Sequence, residues 1–232
     1  MSATRKLLGV LGGMGPAAGA EFLRLLTVLS PASRDQDHVP VVLLSDPQVP
    51  DRTEALMGHG EDPTPRLRED LLKLASWGAS LLAVPCNTAH AFIDRFVDEL
   101  PVPLVHIVEE TLADAIVKNP SGGWLVATEG TLASGIYQER AHRRGFTLHL
   151  PSPREQAKVN EVIRLVKANR PVEAGRCFLT VAEGLWERAN VPILTACTET
   201  PLAYQAAGLP SEMTVSSLEA LARGALRELQ VI

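Results

Sequence analysis

The sequence predicts a doubly wound parallel α/β fold made of two similar halves with a central cleft between them. Short apolar runs of strand length alternate with helical stretches almost throughout the 232 residues. Most of these runs are continuously apolar rather than alternating, which is typical of strands covered by helices on both faces. The repeated alternation of strand and helix favours parallel sheets.

Seven runs have the length and composition of buried strands. In chain order the predicted strands are Leu7–Leu11, Val41–Leu44, Leu81–Val84, Leu104–Ile107, Trp124–Ala127, Thr147–Leu150 and Ile193–Ala196. The stretches between and after them predict eight helices. These helices are Ala17–Leu29, Pro65–Trp77, Ala89–Val97, Glu110–Lys118, Ser134–Arg144, Pro153–Lys167, Val172–Ala189 and Ser217–Leu229. The spacings Ser152-x-x-Glu155 and Ser216-x-x-Glu219 predict capping boxes at two helix starts.

Two strand ends carry similar chemistry. The segments 82–88 and 193–199 each consist of an apolar strand that ends in a cysteine, followed by polar residues and a helix. In open α/β sheets, ligands bind outside the carboxyl ends of the strands. The repeat therefore predicts two similar halves with facing sites. We expect a first domain of residues 1–103 plus 211–232, to which the last helix returns, and a second domain of residues 104–210.

The composition excludes several classes of protein. Hydrophobic residues make up 46% and charged residues 21%, which excludes a disordered chain. The net charge is −5 and no basic stripe occurs, which argues against nucleic acid as a partner. No apolar run reaches the ~18–20 residues that cross a bilayer. The three cysteines, an odd number in a chain too long to need disulfides, favour a cytoplasmic location.

The two repeated cysteines are the main candidates for chemistry. Cys86 and Cys197 each precede a predicted helix, and a helix N-terminus lowers the pKa of a thiol. The alternative is that both are buried structural thiols, as Cys177 in its helical stretch is expected to be. Polar residues follow directly, and their side chains and backbone N–H groups either bind a carboxylate or cap the helices. These polar residues are Asn87, Thr88 and Thr198.

A glycine-rich turn and two cations complete the candidate site. Residues 12–16 follow the first strand and form a turn suited to a carboxylate or phosphate. A dinucleotide is the alternative ligand, but Asp46, the candidate ribose ligand, lies 33 residues after Gly13, where ~20 are usual. Arg52 is placed to bind a carboxylate on the same rim, or is a solvated loop residue. Lys158 flanks the apolar stripe of its helix, as a surface lysine does.

Several of these segments together resemble the aspartate/glutamate racemase family, whose members need no pyridoxal phosphate. The resemblance spans nearly the whole chain. It rests on Leu11-Gly12-Gly13-Met14-Gly15-Pro16, Pro50-Asp51-Arg52-Thr53, Pro85-Cys86-Asn87-Thr88-Ala89-His90, Ala127-Thr128-Glu129-Gly130-Thr131, Gln156-Ala157-Lys158-Val159 and Cys197-Thr198-Glu199. The Gly-Gly-Met and Cys-Thr-Glu segments favour the aspartate racemase branch, because glutamate racemases usually have Asp-Ser-Gly and Cys-Thr-His there.

The resemblance implies roles for individual residues. Cys86 and Cys197 match the two catalytic thiols of a cofactor-independent reaction on an acidic amino acid. Arg52 and Lys158 match the cations that hold the side-chain carboxylate. Further positions match residues that bind the α-carboxylate or line the cleft. These are Met14, Asn87, Thr88, Thr131, Thr198 and Glu199.

The resemblance also implies an assembly and leaves alternatives open. Family members commonly form homodimers, and neither a metal nor a cofactor is expected, since the six histidines show no metal-ligand spacing. Aspartate is the expected substrate and glutamate the second choice. Maleate isomerases, hydantoin racemases and arylmalonate decarboxylases resemble this family in fold and in their use of cysteine, so these activities are alternatives. A nucleotide-binding protein, or one that binds an amino acid without turnover, remains a further alternative.

Overall fold

The computed structural model describes residues 6–232, and this range forms eight β-strands and eleven α-helices. The strands are β1 (Leu8–Gly12), β2 (Val41–Ser45), β3 (Leu81–Ala83), β4 (Leu104–Val105), β5 (Gly123–Val126), β6 (Leu148–His149), β7 (Ile193–Thr195) and β8 (Thr214–Ser216). The helices are α1 (Pro16–Leu29), α2 (Arg52–Leu56), α3 (Thr64–Ser76), α4 (His90–Ile93), α5 (Ile107–Lys118), α6 (Glu129–Ser134), α7 (Ile136–Arg143), α8 (Pro153–Lys167), α9 (Pro171–Arg188), α10 (Thr200–Ala206) and α11 (Ser217–Glu228).

The strands form two four-stranded parallel sheets with the same topology. The first sheet has the order β2-β1-β3-β4 and the second the order β6-β5-β7-β8. In the register of the central pairs, Val10 lies opposite Ala83 and Val126 opposite Thr195. β3 and β7 therefore occupy equivalent positions, and the loops that follow them leave from the same edge of their sheets. The predicted fold class of two similar parallel α/β halves is confirmed.

Two helices join the halves by packing on the sheet to which they do not belong. α5 follows β4 of the first sheet and packs against β8 and α7, whereas α11 follows β8 of the second sheet and packs against α1, β3 and β4. α5 and α11 also pack against each other. A shared core results, in which Leu8 and Phe22 of the first half lie in one apolar cluster with Leu194 and Leu221. Burial of this cluster holds the halves in one fixed arrangement.

The sheets also show where the chain passes between the halves. β4 hydrogen-bonds to β3 of the first sheet, although residues 104–105 were expected to begin the second domain. β8 hydrogen-bonds to β7, although residues 214–216 were expected in the first domain. The crossings thus fall after β4 and after β8, because each strand completes a sheet before its helix crosses over. The last helix, α11, packs on elements of the first half.

The local elements agree closely with the sequence patterns. All seven predicted strands are present, with ends shifted by at most two residues, and β8 was not predicted. The predicted helix 134–144 begins only after Gly135, which has φ 71° and separates it from α6, a helix that was not predicted. The helix predicted over 89–97 is reduced to α4 and a 3-10 turn, and the short α2 and α10 were missed. Each is too short for the apolar period that identifies a helix.

The two predicted capping boxes differ in the structure. At α8 the box is complete, since Ser152 accepts from the Glu155 N–H and the Glu155 carboxylate accepts from the Ser152 N–H. At α11 Ser216 accepts from the Glu219 N–H, while the Glu219 carboxylate pairs with Arg223 instead. Among the helices of residues 6–232, none is long and apolar enough to span a bilayer.

Candidate active site

A cleft between the two halves collects most of the candidate residues. It is a small, partly enclosed space at the carboxyl ends of the central strands. Its lining comprises Met14, Asp51, Arg52, Thr53, Cys86, Asn87, Thr88, Thr128, Lys167, Cys197, Thr198 and Glu199. Both halves contribute to it, since residues 86–88 follow β3 and residues 197–199 follow β7.

The two repeated cysteines both reach this cleft. Cys86 and Cys197 are 6% and 5% exposed, so each thiol is shielded from bulk water yet lines the cavity. Cys177 lies elsewhere, packed against the core of the second half, with its thiol directed at the Lys158 carbonyl. The equivalent positions of β3 and β7 therefore bring two thiols to one small space.

A buried histidine fixes the loop that carries Cys86. His90 Nδ1 lies 2.9 Å from the Cys86 carbonyl oxygen, and its Nε2 accepts from the Ile107 N–H at 3.5 Å. This pattern places the ring proton on Nδ1. Burial, with a contribution from neighbouring His106, lowers the pKa of His90 to about 3. His90 is therefore neutral and acts as a support for the loop.

The thiol of Cys197 has a carboxylate partner. Its Sγ donates to Oε2 of Glu199 at 3.0 Å, and the Thr198 hydroxyl donates to the same oxygen at 3.3 Å. Burial first, and then the charge and hydrogen bond of Glu199, raise the pKa of Cys197 well above its ordinary value. The Thr200 hydroxyl donates to the Cys197 carbonyl at 2.7 Å, which holds the loop. Cys197 is therefore a protonated thiol in this arrangement.

The amide of Asn87 is oriented by a chain of hydrogen bonds. Ser217 donates its hydroxyl proton to the Thr195 carbonyl at 2.8 Å, so it accepts from Asn87 Nδ2 at 3.0 Å. Tyr137 in turn donates to Asn87 Oδ1 at 2.6 Å. Burial raises the pKa of Tyr137, so this phenol stays protonated. Asn87 therefore keeps one N–H of its amide nitrogen for a ligand in the cleft.

Three threonine hydroxyls form a cluster on the wall beside Cys86. Thr88 Oγ1 lies 3.0 Å from the hydroxyl of Thr128 and 2.8 Å from that of Thr131. Thr131 is fully buried behind Thr88, whereas Thr128 lines the cleft. Thr128 also caps α6 by accepting from the Thr131 N–H. Thr131, expected on the lining, thus supports Thr88 from behind, and Thr128 takes its place.

Arg52 is placed at the cleft by its own loop. Asp51 caps α2 by accepting from two backbone N–H groups, which sets the position of the first helical residue, Arg52. The guanidinium donates through Nη1 to the carbonyls of Val49 and Pro50 at 3.0 and 2.9 Å. Its Nε is buried and has no hydrogen-bond partner in residues 6–232. One edge of the guanidinium is thus held by backbone carbonyls, while the charged group as a whole lines the cleft.

The second cation of the cleft is Lys167, which replaces the expected Lys158. Lys158 is half-buried in a different surface cavity beside Arg154 and Glu155. Nine residues separate the two lysines on α8, which places them about 180° apart around the helix. Packing of α8 on α9 decides which side faces the cleft. Sequence reasoning missed Lys167, and its place at the end of the helix is the only local signal for it.

The glycine turn has no free acidic partner for a ribose. A Cβ on Gly13, which has φ 97°, would lie 2.3 Å from the backbone of Asp46, so only glycine fits there. The Asp46 carboxylate is buried and pairs with Arg66 at 2.6 Å while it accepts from the Gln48 N–H. Asp46 is therefore engaged within the protein, which argues against the dinucleotide alternative. In the described part of the chain, no cluster of acidic, histidine and cysteine side chains suits a metal ion.

Comparison with known proteins identifies relatives over almost the whole chain. The sequence profile described as Asp/Glu/Hydantoin racemase matches residues 11–225. The broad specificity amino-acid racemase RacX of Bacillus subtilis is 30% identical over 199 residues, which cover 83% of this chain and 85% of RacX.

Solved structures give the same result. The Picrophilus torridus aspartate racemase superposes with a TM-score of 0.84 at 30% identity, covering 97% of this chain and 94% of that one. The glutamate racemase of Thermus thermophilus, solved with β-chloro-D-alanine, gives a TM-score of 0.67 at 22% identity, with 97% and 81% coverage. The second likeness concerns the fold alone.

Proposed function

This chain belongs to the Asp/Glu/hydantoin racemase family and is an amino-acid racemase, and we propose that its substrate is an acidic amino acid, aspartate above all. We further propose that Cys86 and Cys197 are its two bases. One observation carries the proposal. The two thiols follow equivalent strands of the two sheets and line one cleft. In this proposal, one thiol removes a proton from one face of the substrate and the other thiol delivers a proton to the opposite face.

The reaction needs one thiolate and one thiol. The thiolate takes the proton from Cα and becomes a neutral thiol, while the opposite thiol gives its proton to the other face of the carbanion. The two cysteines exchange roles when the other enantiomer reacts. The substrate stays in place, because inversion needs only that the two sulfur atoms flank one carbon.

The carbanion is stabilised through the α-carboxylate. Asn87 offers the amide N–H that its protein partners leave unused. Thr88 offers its hydroxyl from one half, and Thr198 offers its backbone N–H from the other. Donors that are fixed before the reaction stabilise developing charge without a reorganisation cost. In this proposal, fixed donors perform the task that an electron-sink cofactor performs in other racemases.

The side chain of the substrate is recognised by two cations. Arg52 and Lys167 line the same cleft, and among the described residues no carboxylate forms an ion pair with either cation. A charge-assisted hydrogen bond contributes ~1.5–3 kcal/mol when it is buried. It contributes about 1 kcal/mol at an exposed position such as that of Lys167. Two cations, in addition to the donors for the α-carboxylate, favour a substrate with two carboxylates, and thus an acidic amino acid over a hydantoin.

Two relatives that are each 30% identical to this chain differ in the range of substrates that their names state. The Picrophilus torridus protein is named an aspartate racemase, and the Bacillus subtilis protein a broad specificity racemase. One methylene discriminates by only ~1–3 kcal/mol, so glutamate is the second substrate to expect. The cations in the cleft support acidic substrates over neutral ones in either case.

The decisive experiment replaces each thiol by a hydroxyl. Cys86→Ser and Cys197→Ser are each expected to lose at least about 10²-fold in racemisation of aspartate, the contribution typical of a general base. Chiral chromatography of L-aspartate after incubation measures the loss. Cys177→Ser is the matched control and should keep wild-type activity. Full activity in either cleft variant would contradict the two-base mechanism.

A panel of substrates tests the acidic preference. The wild-type protein is incubated with the L-forms of aspartate, glutamate, asparagine, alanine and lysine, and the D-form is quantified. We expect the highest kcat/KM for aspartate, followed by glutamate. A neutral or basic amino acid as the best substrate would overturn the proposed side-chain recognition while leaving the racemase mechanism intact.

We also propose that the chain forms a homodimer in the cytoplasm. The unpaired state of all three cysteines supports a reducing compartment. Light scattering of the purified protein tests the oligomeric state, with a mass of twice 25.0 kDa expected.

A further inference from the structure

The two cleft thiols have unequal surroundings. Cys197 Sγ donates to Glu199 Oε2 at 3.0 Å, while no side-chain hydrogen bond of Cys86 is found among residues 6–232. Their exposures are nearly equal, at 5% and 6%. The exposure of the residues therefore does not distinguish the two cysteines, whereas the carboxylate that accepts from Cys197 does.

Glu199 is held in position by its place in the chain and by a second donor. It is the residue before α10 and is 5% exposed. Its Oε2 also accepts from the Thr198 hydroxyl at 3.3 Å. A buried carboxylate that accepts from two fixed donors stays at the sulfur, and its charge opposes a second negative charge on that sulfur.

The other charged and titratable groups around Cys197 do not cancel this effect. Lys167 favours the thiolate, but burial and Glu199 outweigh it and leave the pKa of Cys197 raised well above its ordinary value. The groups that face Cys197 are Glu199 on its own loop, Tyr137 from α7, Lys167 from the end of α8, Asp51 and Arg52 at the start of α2, and Cys86 on the opposite wall.

We propose that Glu199 is a positioning residue that keeps the proton on Cys197, so that the thiolate of the free enzyme is on Cys86. This inference rests on the proposed two-cysteine function. In the direction of racemisation that starts from this resting state, the Cys86 thiolate takes the Cα proton of the substrate. The Cys197 thiol gives its proton to the opposite face of the same carbon. The enzyme then holds Cys86 as thiol and Cys197 as thiolate. The resting state returns when Cys86 gives its proton to solvent water and Cys197 takes one from it.

Alkylation by iodoacetamide tests the proposal without a substrate. Thiolates react and thiols do not, and peptide mass spectrometry reads the labelling of each cysteine separately. In the wild-type protein at pH 8 we expect Cys86 to be labelled at least about tenfold faster than Cys197, which corresponds to one pKa unit between two equally accessible thiols. Cys177, outside the cleft, is the internal reference.

The variants separate charge from shape. Glu199→Gln keeps the size of the side chain and removes its charge, so the ratio of Cys86 to Cys197 labelling should fall at least about fivefold, and the labelling midpoint of Cys197 should move to lower pH. Glu199→Asp keeps the charge and should restore most of the wild-type ratio. An unchanged Cys177 rate shows that a variant is folded.

Two results would overturn the proposal. One is equal labelling of Cys86 and Cys197 in the wild-type protein, which stands even if a variant fails to fold. The other is a ratio that Glu199→Gln leaves unchanged. Neither result touches the proposed racemisation, which the serine variants and the substrate panel test independently.

Discussion

At the scale of single residues, the orientation of Asn87 shows how the cleft is prepared for a ligand. The donors and acceptors around its amide form one consistent chain from the Thr195 carbonyl through Ser217 to Tyr137. These partners come from β7, α11 and α7, so both halves of the molecule hold one side chain. A buried amide with fixed partners loses little freedom when it binds a carboxylate.

The lysines of α8 give the prediction that belongs to this scale. Lys167→Ala should raise the KM for aspartate about five- to tenfold, since loss of one charged contact costs about 1 kcal/mol at an exposed position. Lys158→Ala is the matched control on the same helix and should leave KM within a factor of two. Steady-state kinetics decides between them. An equal rise in both variants, or a rise only in Lys158→Ala, would restore Lys158 as the substrate-binding cation.

At the scale of elements, the approach of α2 to α6 positions the Arg52 side of the cleft. Gly130 in α6 faces Thr53 in α2, and a Cβ on Gly130 would lie 2.8 Å from the Thr53 Cα. The two helices belong to different halves, and Thr53 and Thr128 next to this contact both line the cleft. The missing side chain at residue 130 therefore sets how closely the halves approach at the cation.

Gly130→Ala tests this contact. The added methyl group meets backbone rather than a flexible side-chain end, so α2 must shift, at a cost of about 1–3 kcal/mol in the free energy of unfolding. Because Arg52 begins α2, KM for aspartate should rise several-fold. Urea denaturation and steady-state kinetics measure the two effects.

A second glycine provides the control for that experiment. A Cβ on Gly184 in α9 would have Glu155 Oε1 as its nearest neighbour, at 3.9 Å. Gly184→Ala should therefore stabilise the protein by about 0.4–1 kcal/mol without a kinetic effect. If Gly130→Ala instead has the stability and the KM of the wild-type protein, the prediction is contradicted, because the helices at Gly130 and Thr53 then have room for the methyl group.

At the scale of the whole molecule, a charged cluster ties the two halves together. Arg140 on α7 donates to Asp94 at 2.7 Å and to Glu109 at 2.8 Å, and His106 contacts Asp94 at 3.0 Å. Burial would raise the pKa of Asp94, but hydrogen bonds from His106 and Arg140 outweigh it and lower this pKa to about 2. The cluster links the segment after α4 to α5 and α7.

Arg140→Ala should lower the free energy of unfolding by about 1–2 kcal/mol at pH 7, less than a fully buried pair because the carboxylates are partly exposed. The pKa of Asp94 is depressed in the folded state, so its stabilisation is present above the unfolded value of about 4 and disappears as the pH falls toward 2. The difference between wild type and variant should therefore shrink over this range.

Urea denaturation at pH 7, 4 and 3 measures that trend. Arg143→Ala on the same helix is the matched control, because its ion pair with Glu139 is long, at 3.7 Å, and both side chains are exposed. Its effect should stay within about 0.5 kcal/mol at every pH. A constant difference for Arg140→Ala from pH 7 to 3 would show that Asp94 contributes nothing to the link between the halves.

The strands and helices of this protein follow from local patterns in its sequence. A continuously apolar run before a turn is a buried strand wherever it lies, and the complete capping box at Ser152 needs only neighbouring residues. The repeat of strand and cysteine predicted two halves, and the matching sheet orders confirm it. These features depend on contacts within one element or between adjacent elements.

Other features depended on how the elements pack. The side of α8 that faces the cleft, the crossing of α5 and α11, and the pairing of β8 with β7 are decided by contacts between residues far apart in the chain. Lys167 therefore could not be told from Lys158 by helical periodicity. The sequence by itself determined the elements and the two thiols. Only the tertiary structure decided which charges surround them, because electrostatic neighbours are set by distance in space and not along the chain.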